Sequence, residues 1–412
     1  MYNLKIKNQT KKILKMIHSE FKHEKTTLSL IPSENMMSDL ATSMYASKSN
    51  SRYLLPLKIG VKYFMPGREN LENIVKILET KLCSIYKSKY SITKGLSGLH
   101  QMDIIMSALS KKTSKIIIVD AMDGGHSKTF GVAKKYGFDI DKINIEFKNW
   151  DIDYGKLKIT INKWKNVNVL IYIDHTVVLN PLNISKLIKQ IPPHWIIYYD
   201  ISHLQLFYFT HIFNFPKHKN FFFGGSTHKT FPGPQKAIIL LDNEELYNLI
   251  NTEFYKTISS THTGSLLALL ITVLEMEKYG VAYAKDILEK TQYFAKCLST
   301  KLNVIGPLPY RTNTHQVWIN VPHALEVTQK LASVGIINYP TRIPATKHSG
   351  LRFGIQELCR FRIKKKDLKI LADVVISCVV GNQTERNLRN KIENIAKKLT
   401  TTHYVLKNVH LH

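Results

Sequence analysis

Apolar positions along the chain fall into two patterns. From about residue 90 onward, short β-branched and aromatic runs recur: YSIT (90–93), KIIIVD (115–120), NVLIYID (168–174), WIIYYD (195–200), NFFFGG (220–225) and KAIILLD (236–242). They are continuous rather than alternating, as strands covered on both faces are, and segments of helical periodicity separate them. This succession predicts an α/β domain around a mainly parallel sheet. Three of the runs end in aspartate, at Asp120, Asp174 and Asp200, and the carboxyl ends of such strands are where α/β sheets hold ligands.

Elsewhere the helical period dominates. Residues 9–24 read as one amphipathic helix, with Ile13, Leu14, Ile17 and Phe21 on a single stripe. A polar, irregular stretch follows from Ser33 to Gly67. A long helical segment over 264–300 bridges into a C-terminal region. There the alternating runs HQVWINV (315–321) and GLRFGI (350–355) precede helices at 365–380 and 383–398. The expected organisation is an N-terminal helical arm (1–25), a large α/β domain (26–270) and a smaller α+β domain (271–412).

Composition narrows the class. The chain has 412 residues, 44% hydrophobic and 22% charged, which suits a globular protein with a sizeable core. Its net charge is +27, from 58 basic and 31 acidic residues. Arginine is scarce, and the lysines are spread evenly without an RNA-binding motif, basic heptads or finger spacing. The surplus therefore reads as the solvated surface that an AT-rich genome writes, and a nucleic-acid partner is disfavoured. Four cysteines lie far apart with no CxxC pair, which fits a reducing compartment and no metal site. No apolar run approaches the roughly 20 residues that span a bilayer. The first 25 residues are basic but lack the apolar core of a signal peptide. A cytoplasmic location, with no membrane partner, is expected.

The densest chemistry lies in Gly224–Pro234, GGSTHKTFPGP. Lys229 sits among small and hydroxyl residues just after an apolar run, and Pro/Gly turns follow it. A lysine so held can lose its proton and form a Schiff base with a carbonyl; a surface lysine in a turn reads equally well from this segment alone. Asp200 ends a buried run and could pair with a pyridinium nitrogen, or simply cap the next turn. His126, in DGGHSKTFG, could stack on a planar ring or be a plain loop histidine. Ser97-Gly98 opens a helix after a strand, a natural phosphate cradle. Arg352, in a strand-like run, has the fork that suits a carboxylate.

Taken in order, these segments resemble the serine hydroxymethyltransferase family, pyridoxal 5'-phosphate (PLP) enzymes of fold type I. The resemblance runs from about 28 to 375. LSLIPSENMMS (28–38), SGLHQMD (97–103), DGGHSKTFG (123–131), DISHL (200–204), STHKT (226–230) and GLRFG (350–354) each match a family motif, in register. It implies an aspartate aminotransferase-like fold: a large, mainly parallel-sheet domain and a smaller C-terminal α+β domain. It also implies roles. Lys229 would carry the cofactor, Asp200 would hold its ring nitrogen, and His126 would stack on the ring. His203 would lie near the phenolic oxygen or the substrate carboxylate, with Thr176 close to that oxygen. Ser97, Gly98 and His228 would hold the phosphate. Tyr53 and Tyr63 fall where the family has active-site tyrosines shared across a dimer interface. Ser259 and Ser260 fall near a glycine pair that reaches the partner subunit's phosphate. Ser33 and Arg352, with Glu34 beside them, would bind the amino-acid substrate. The implied assembly is a homodimer, or a tetramer, with shared sites.

The departures from the family pattern matter as much. Leu55 stands where the family has a catalytic glutamate that handles protons in folate-linked transfer, and leucine cannot do acid–base work. The loop before Arg352 (338–350) is short, and Ser127 replaces an apolar residue of the folate site. After the lysine the chain reads Phe231-Pro232-Gly233-Pro234-Gln235, and GIQELCR (354–360) replaces the usual segment. These variants are similar to the specialised threonine transaldolases and β-hydroxy-amino-acid aldolases. The function expected is a folate-independent, PLP-dependent aldolase or transaldolase that works through a glycine quinonoid, with an amino acid and an aldehyde as substrates. The retro-aldol base would be His126, His203 or a water. The alternatives are a folate-dependent serine hydroxymethyltransferase, which would bring tetrahydrofolate back as co-substrate, and a basic RNA-binding protein on a decayed PLP fold.

Overall fold

The structure, a computed structural model, describes residues 2–55, 64–210, 215–381 and 383–407. Seven strands form the central sheet: β1 (Tyr90–Gly95), β2 (Lys115–Val119), β3 (Asp139–Ile143), β4 (Val169–Ile173), β5 (Ile196–Asp200), β6 (Phe221–Ser226) and β7 (Ala237–Leu241). Their spatial order is β1-β7-β6-β5-β4-β2-β3. β7 runs antiparallel to both neighbours and the other pairs are parallel. Six of the seven correspond to the apolar runs read from the sequence. β3 is the exception, an edge strand of mixed sequence, DIDKI, in which Asp139 and Lys142 are exposed.

The two-residue period of each strand divides the core. Leu170, Tyr172, Ile196, Tyr198, Phe222 and Ile239 face one side. Ile171, Ile173, Ile197, Tyr199, Phe223 and Ile238 face the other. Tyr172, Tyr198 and Phe222 pack in tilted pairs across three adjacent strands, at 4.8 and 4.9 Å between centroids.

The long helix runs Thr263–Leu298 and is buried along most of its length, which is why its sequence is apolar on more than one stripe. It leads to a second, four-stranded antiparallel sheet: β8 (Val304–Ile305), β9 (Gln316–Asn320), β10 (Pro340–Arg342) and β11 (Ser349–Gly354), in the order β8-β9-β11-β10. Helices Lys365–Val380 and Glu385–Ala396 close the C-terminal region. The N-terminal helix is longer than its periodicity suggested, Tyr2–Glu24, and its stripe of Ile13, Leu14, Ile17 and Phe21 is exposed. The stretch expected to be irregular holds a short helix at Asp39–Tyr45 and a 3-10 turn at Lys48–Ser51. Among the described residues no helix is long and apolar enough to cross a membrane.

Candidate active site

The segments that follow β1, β2, β4, β5 and β6 leave the same end of the central sheet, and each delivers a side chain. After β1, the Ser97 hydroxyl accepts from the His100 N–H at 3.1 Å and caps the helix Gly98–Leu109. A Cβ at Gly98 would stand 2.7 Å from the Ser226 Oγ, so a glycine is what lets this helix start approach the end of β6. After β2, a turn carries His126. The Thr176 hydroxyl, beyond β4, donates to the Gly124 carbonyl at 3.1 Å and ties that turn to the neighbouring strand end.

Asp200 ends β5 and accepts from the Ser202 N–H at 2.8 Å. Gly225 sits beside it at φ +143°, and a Cβ there would meet the Asp200 Oδ1 at 2.8 Å. After β6 the chain folds back on itself. The Thr227 hydroxyl donates to the Pro234 carbonyl at 2.7 Å, and the Gly233 N–H to the Thr227 carbonyl at 2.8 Å. These bonds fix the loop that bears Lys229. Arg352 enters from β11, where it lies opposite Trp318 of β9.

These elements enclose a cavity of about 350 Å³, within the range of small-molecule sites. Ser33, His126, Thr176, His203, Lys229 and Arg352 line it together, with Ser127, Tyr339 and Arg342. The lining includes three cationic side chains and no aspartate or glutamate among the described residues. The Arg352 guanidinium, 7% exposed, donates to the Thr176 carbonyl at 3.0 Å and to the Tyr339 hydroxyl at 2.6 Å. Its Nε has no partner.

Electrostatics follow from burial. Desolvation lowers the Lys229 pKa and Arg352 adds to that, while Asp200 and Asp174 oppose it. His126 is lowered by burial and then by Lys229. His203 is pushed well below its ordinary value by burial, reinforced by Lys229 and His315. His228 is lowered to about 4 by burial and then by Lys229, and its Nδ1 is unpartnered. Asp174, at the end of β4 next to Asp200, is raised well above the ordinary carboxyl range by burial and accepts a hydrogen bond from Thr129.

Not every expected residue reaches the cavity. Ser97, Gly98, Asp200 and His228 stand on the adjoining strand ends rather than in its lining. Glu34 is exposed and accepts from the Ser29 hydroxyl at 2.6 Å. Tyr53 is half exposed, Ser259 is exposed and Ser260 is half-buried. Their segments run side by side, joined by the Thr261 N–H to the Leu54 carbonyl at 2.9 Å and the Thr263 hydroxyl to the Arg52 carbonyl at 3.2 Å. Tyr63 lies outside the described residues.

Three residues that sequence reasoning passed over belong to the site. Tyr339 holds Arg352 and lines the cavity. His315 and Gln316 stand directly behind His203, with His315 Nε2 at 3.3 Å and Gln316 Nε2 at 3.4 Å from its Nδ1. From the sequence alone, the runs containing them read only as a loop and a strand.

The donor set fits PLP. A buried lysine of depressed basicity can hold an aldehyde, and a strand-end carboxylate lies within its field. A capped helix start closed by glycine against Ser226 is shaped to hold a phosphate, and His228, two residues on, has an unpartnered Nδ1.

Comparison with known proteins bears on the family and the fold. The family model described as Serine hydroxymethyltransferase matches residues 6–375. The serine hydroxymethyltransferase of Sulfolobus acidocaldarius is 27% identical, over 99% of this chain and 97% of its own length. An L-threonine:uridine-5'-aldehyde transaldolase of an Amycolatopsis species is also 27% identical, over 85% of this chain and 87% of its own. The crystal structure of L-threonine transaldolase from Pseudomonas fluorescens, in its internal aldimine state, superposes with a TM-score of 0.89 at 22% identity. It covers 99% of this chain and 96% of that one, and it shows that the fold is shared.

Proposed function

Because the chain belongs to the serine hydroxymethyltransferase family, and so is a PLP-dependent enzyme, we propose that it makes or breaks the Cα–Cβ bond of a β-hydroxy amino acid without folate, as an aldolase or threonine transaldolase. The observation that carries this reading is the cavity itself: cationic side chains converge in it, and no carboxylate of the described residues lines it. Such a site favours an anionic substrate. The segment that would bring the acid of folate-linked transfer carries Leu55 in its place.

PLP, when bound, supplies a ring that accepts the electron pair left on Cα. The chain's own residues would do the rest. Lys229, its proton made labile by burial, would bind the cofactor aldehyde until the substrate amine displaces it. Asp200, oriented by the Ser202 N–H, would keep the ring nitrogen protonated. Ser97, Gly98 and His228 would hold the phosphate, and His126 would flank the ring. Arg352, steered by Tyr339 and Thr176, would take the substrate carboxylate with Ser33 and so align the Cα–Cβ bond. The β-hydroxyl proton would pass to His126, His203 or a water, and the aldehyde would leave. Tyr53, Ser259 and Ser260 would complete a neighbouring subunit's site in a homodimer.

The test is glycine formation from L-threonine and from L-serine by the PLP-loaded protein, each with and without tetrahydrofolate. Folate-independent turnover of threonine, accelerated by an added aldehyde, is expected. Glycine from serine that requires tetrahydrofolate would overturn the proposal. It would support the second reading, an ordinary serine hydroxymethyltransferase, which the near-complete match to the Sulfolobus enzyme favours.

A further inference from the structure

His203 faces the cavity on one side and a buried polar strip on the other. Behind it the His315 ring lies nearly parallel, 5.4 Å away between centroids and 11° from coplanar. The hydrogen-bond partners of this strip determine where each proton sits.

His315 Nε2 is 3.1 Å from the Pro32 carbonyl oxygen. A carbonyl only accepts, so this nitrogen carries the proton. Gln316 is oriented as firmly. Its Oε1 accepts from the Val178 N–H and from the Trp318 Nε1–H, both at 3.2 Å, which leaves Nε2 as the donor end. One of its protons goes to the Thr176 carbonyl at 2.9 Å. The other faces His203 Nδ1 at 3.4 Å, and His315 Nε2, whose single proton the Pro32 carbonyl accepts, lies 3.3 Å from the same atom with no lone pair to offer. A proton on His203 Nδ1 would thus meet two nitrogens that cannot accept it, one of them with an N–H aimed at it, so Nδ1 presents its lone pair. The proton of the neutral ring then belongs on Nε2.

We propose that His315 and Gln316 are positioning residues that lock His203 in its Nε2–H tautomer, so that His203 serves the cavity as a hydrogen-bond donor to an anionic oxygen and not as a base. The role as donor to a carboxylate or phenolate rests on the PLP-enzyme reading; the tautomer does not. Burial keeps both rings neutral, His315 at about 3 and His203 far below its ordinary value, so neither gains a second proton near pH 7. Lys229, Arg352 and His126 also face His203, and each disfavours its charged form. The β-hydroxyl proton is then left to His126 or a water. The same His315 bond anchors Pro32, next to Ser33, so one side chain holds two edges of the substrate pocket.

The direct test is 15N NMR of histidine-labelled, PLP-loaded protein, with the His203 signals assigned by their loss in His203→Asn. Correlations from the ring protons distinguish the protonated from the bare nitrogen. The expected pattern is a bare Nδ1 and a protonated Nε2, unchanged between pH 6 and 9. A protonated Nδ1, or titration within that range, overturns the proposal. His315→Phe keeps a flat ring against Phe207, 6.2 Å away between centroids, and removes the donor. It should mix the tautomers and raise the KM for threonine roughly 10–100-fold, the effect of one lost charge-assisted hydrogen bond. His315→Gln, whose Nε2 can donate from a similar reach, should restore both. Equal impairment of the Phe and Gln variants would mean that His315 only packs, and would refute the assignment. Should His315→Phe fail to fold, Gln316→Glu replaces a donor by an acceptor and should move the His203 proton to Nδ1. If Lys229 takes up no PLP, the functional reading fails, and the same NMR measurement on the cofactor-free chain still decides the tautomer.

Discussion

Arg352 offers a sharp division between function and stability. It is buried and, among the described residues, meets no carboxylate; its hydrogen bonds go to the Thr176 carbonyl and the Tyr339 hydroxyl, and Nε is unpaired. A buried guanidinium with neutral partners is costly to the fold and valuable to an anionic ligand. Replacing it by leucine removes a fork that can make two charge-assisted hydrogen bonds to a substrate carboxylate, about 1.5–3 kcal/mol each. At about 1.4 kcal/mol per factor of ten, kcat/KM should fall roughly 10²–10⁴-fold. Arg352→Lys keeps the charge but not the planar fork, and should lose roughly 10–100-fold. Stability should move differently. The leucine variant takes the donor from the Tyr339 hydroxyl, about 1–3 kcal/mol if it stays dry, while the Thr176 carbonyl keeps its bond from Gln316; it also removes an uncompensated buried charge. The two effects oppose each other, so Tm should change little. The assays are initial rates with threonine at saturating PLP, the absorbance of lysine-bound cofactor, and calorimetry. A KM within threefold of the parent in Arg352→Leu would refute the carboxylate-clamp argument. A large fall in Tm parallel to the loss of activity would show that the arginine is structural.

Other consequences can be checked independently. Lys229→Ala should abolish the absorbance of lysine-bound PLP; an unchanged spectrum would remove Lys229 from the site. Arg360→Met should destabilise the fold by about 3–5 kcal/mol, the cost of stranding Glu275, because their 3.0 Å ion pair is fully buried. The same variant should free the tail held by Arg360 through the His403 and Tyr404 carbonyls, and limited proteolysis beyond residue 397 would report it. Glu357 is raised to about 7 from 4.5 by burial, with Glu34 and Glu24 adding to it. The folded state therefore holds a proton that the unfolded chain releases between those values, and stability falls as pH rises through that window. Glu357→Gln should accordingly raise Tm at pH 8, by the equivalent of at most about 3 kcal/mol, and do nothing near pH 4; an equal effect at both would refute the assignment.

How much of this was legible in the sequence depends on where each signal resides. β1, β2 and β4 to β7 are covered on both faces, so composition alone marks them. β3 lies at the edge. Only Ile143 of its residues is fully buried, and Asp139 pairs with Lys115 at 2.5 Å, so its charges hide it. The helix Glu69–Tyr86 buries Val75, Leu78, Leu82 and Tyr86 at helical spacing, a periodicity present in the sequence but unused. The N-terminal helix was legible as amphipathic, yet its stripe is exposed, because a hydrophobic period specifies a face and not what covers it.

The site divides in the same way. Lys229, Asp200, His126, Ser97 and Arg352 each sit in a local pattern of small, hydroxyl or strand-end residues that constrains the backbone around them, so short segments disclose them. His315 and Tyr339 have no such pattern. They matter because β9 and β11 pair antiparallel, Gln316 opposite Gly354 and Trp318 opposite Arg352, and because Pro32 passes close enough to accept from His315. Their roles are properties of the pairing register, which no local motif encodes. Tyr53, Ser259 and Ser260 pose the reverse case. Short motifs suggest a place in the site, while the fold sets them on adjoining segments at the surface, away from the cavity lining. Within one chain those two facts conflict. They agree if the cavity these residues serve belongs to a second copy, so a motif can be legible in one chain while its geometry is written in two.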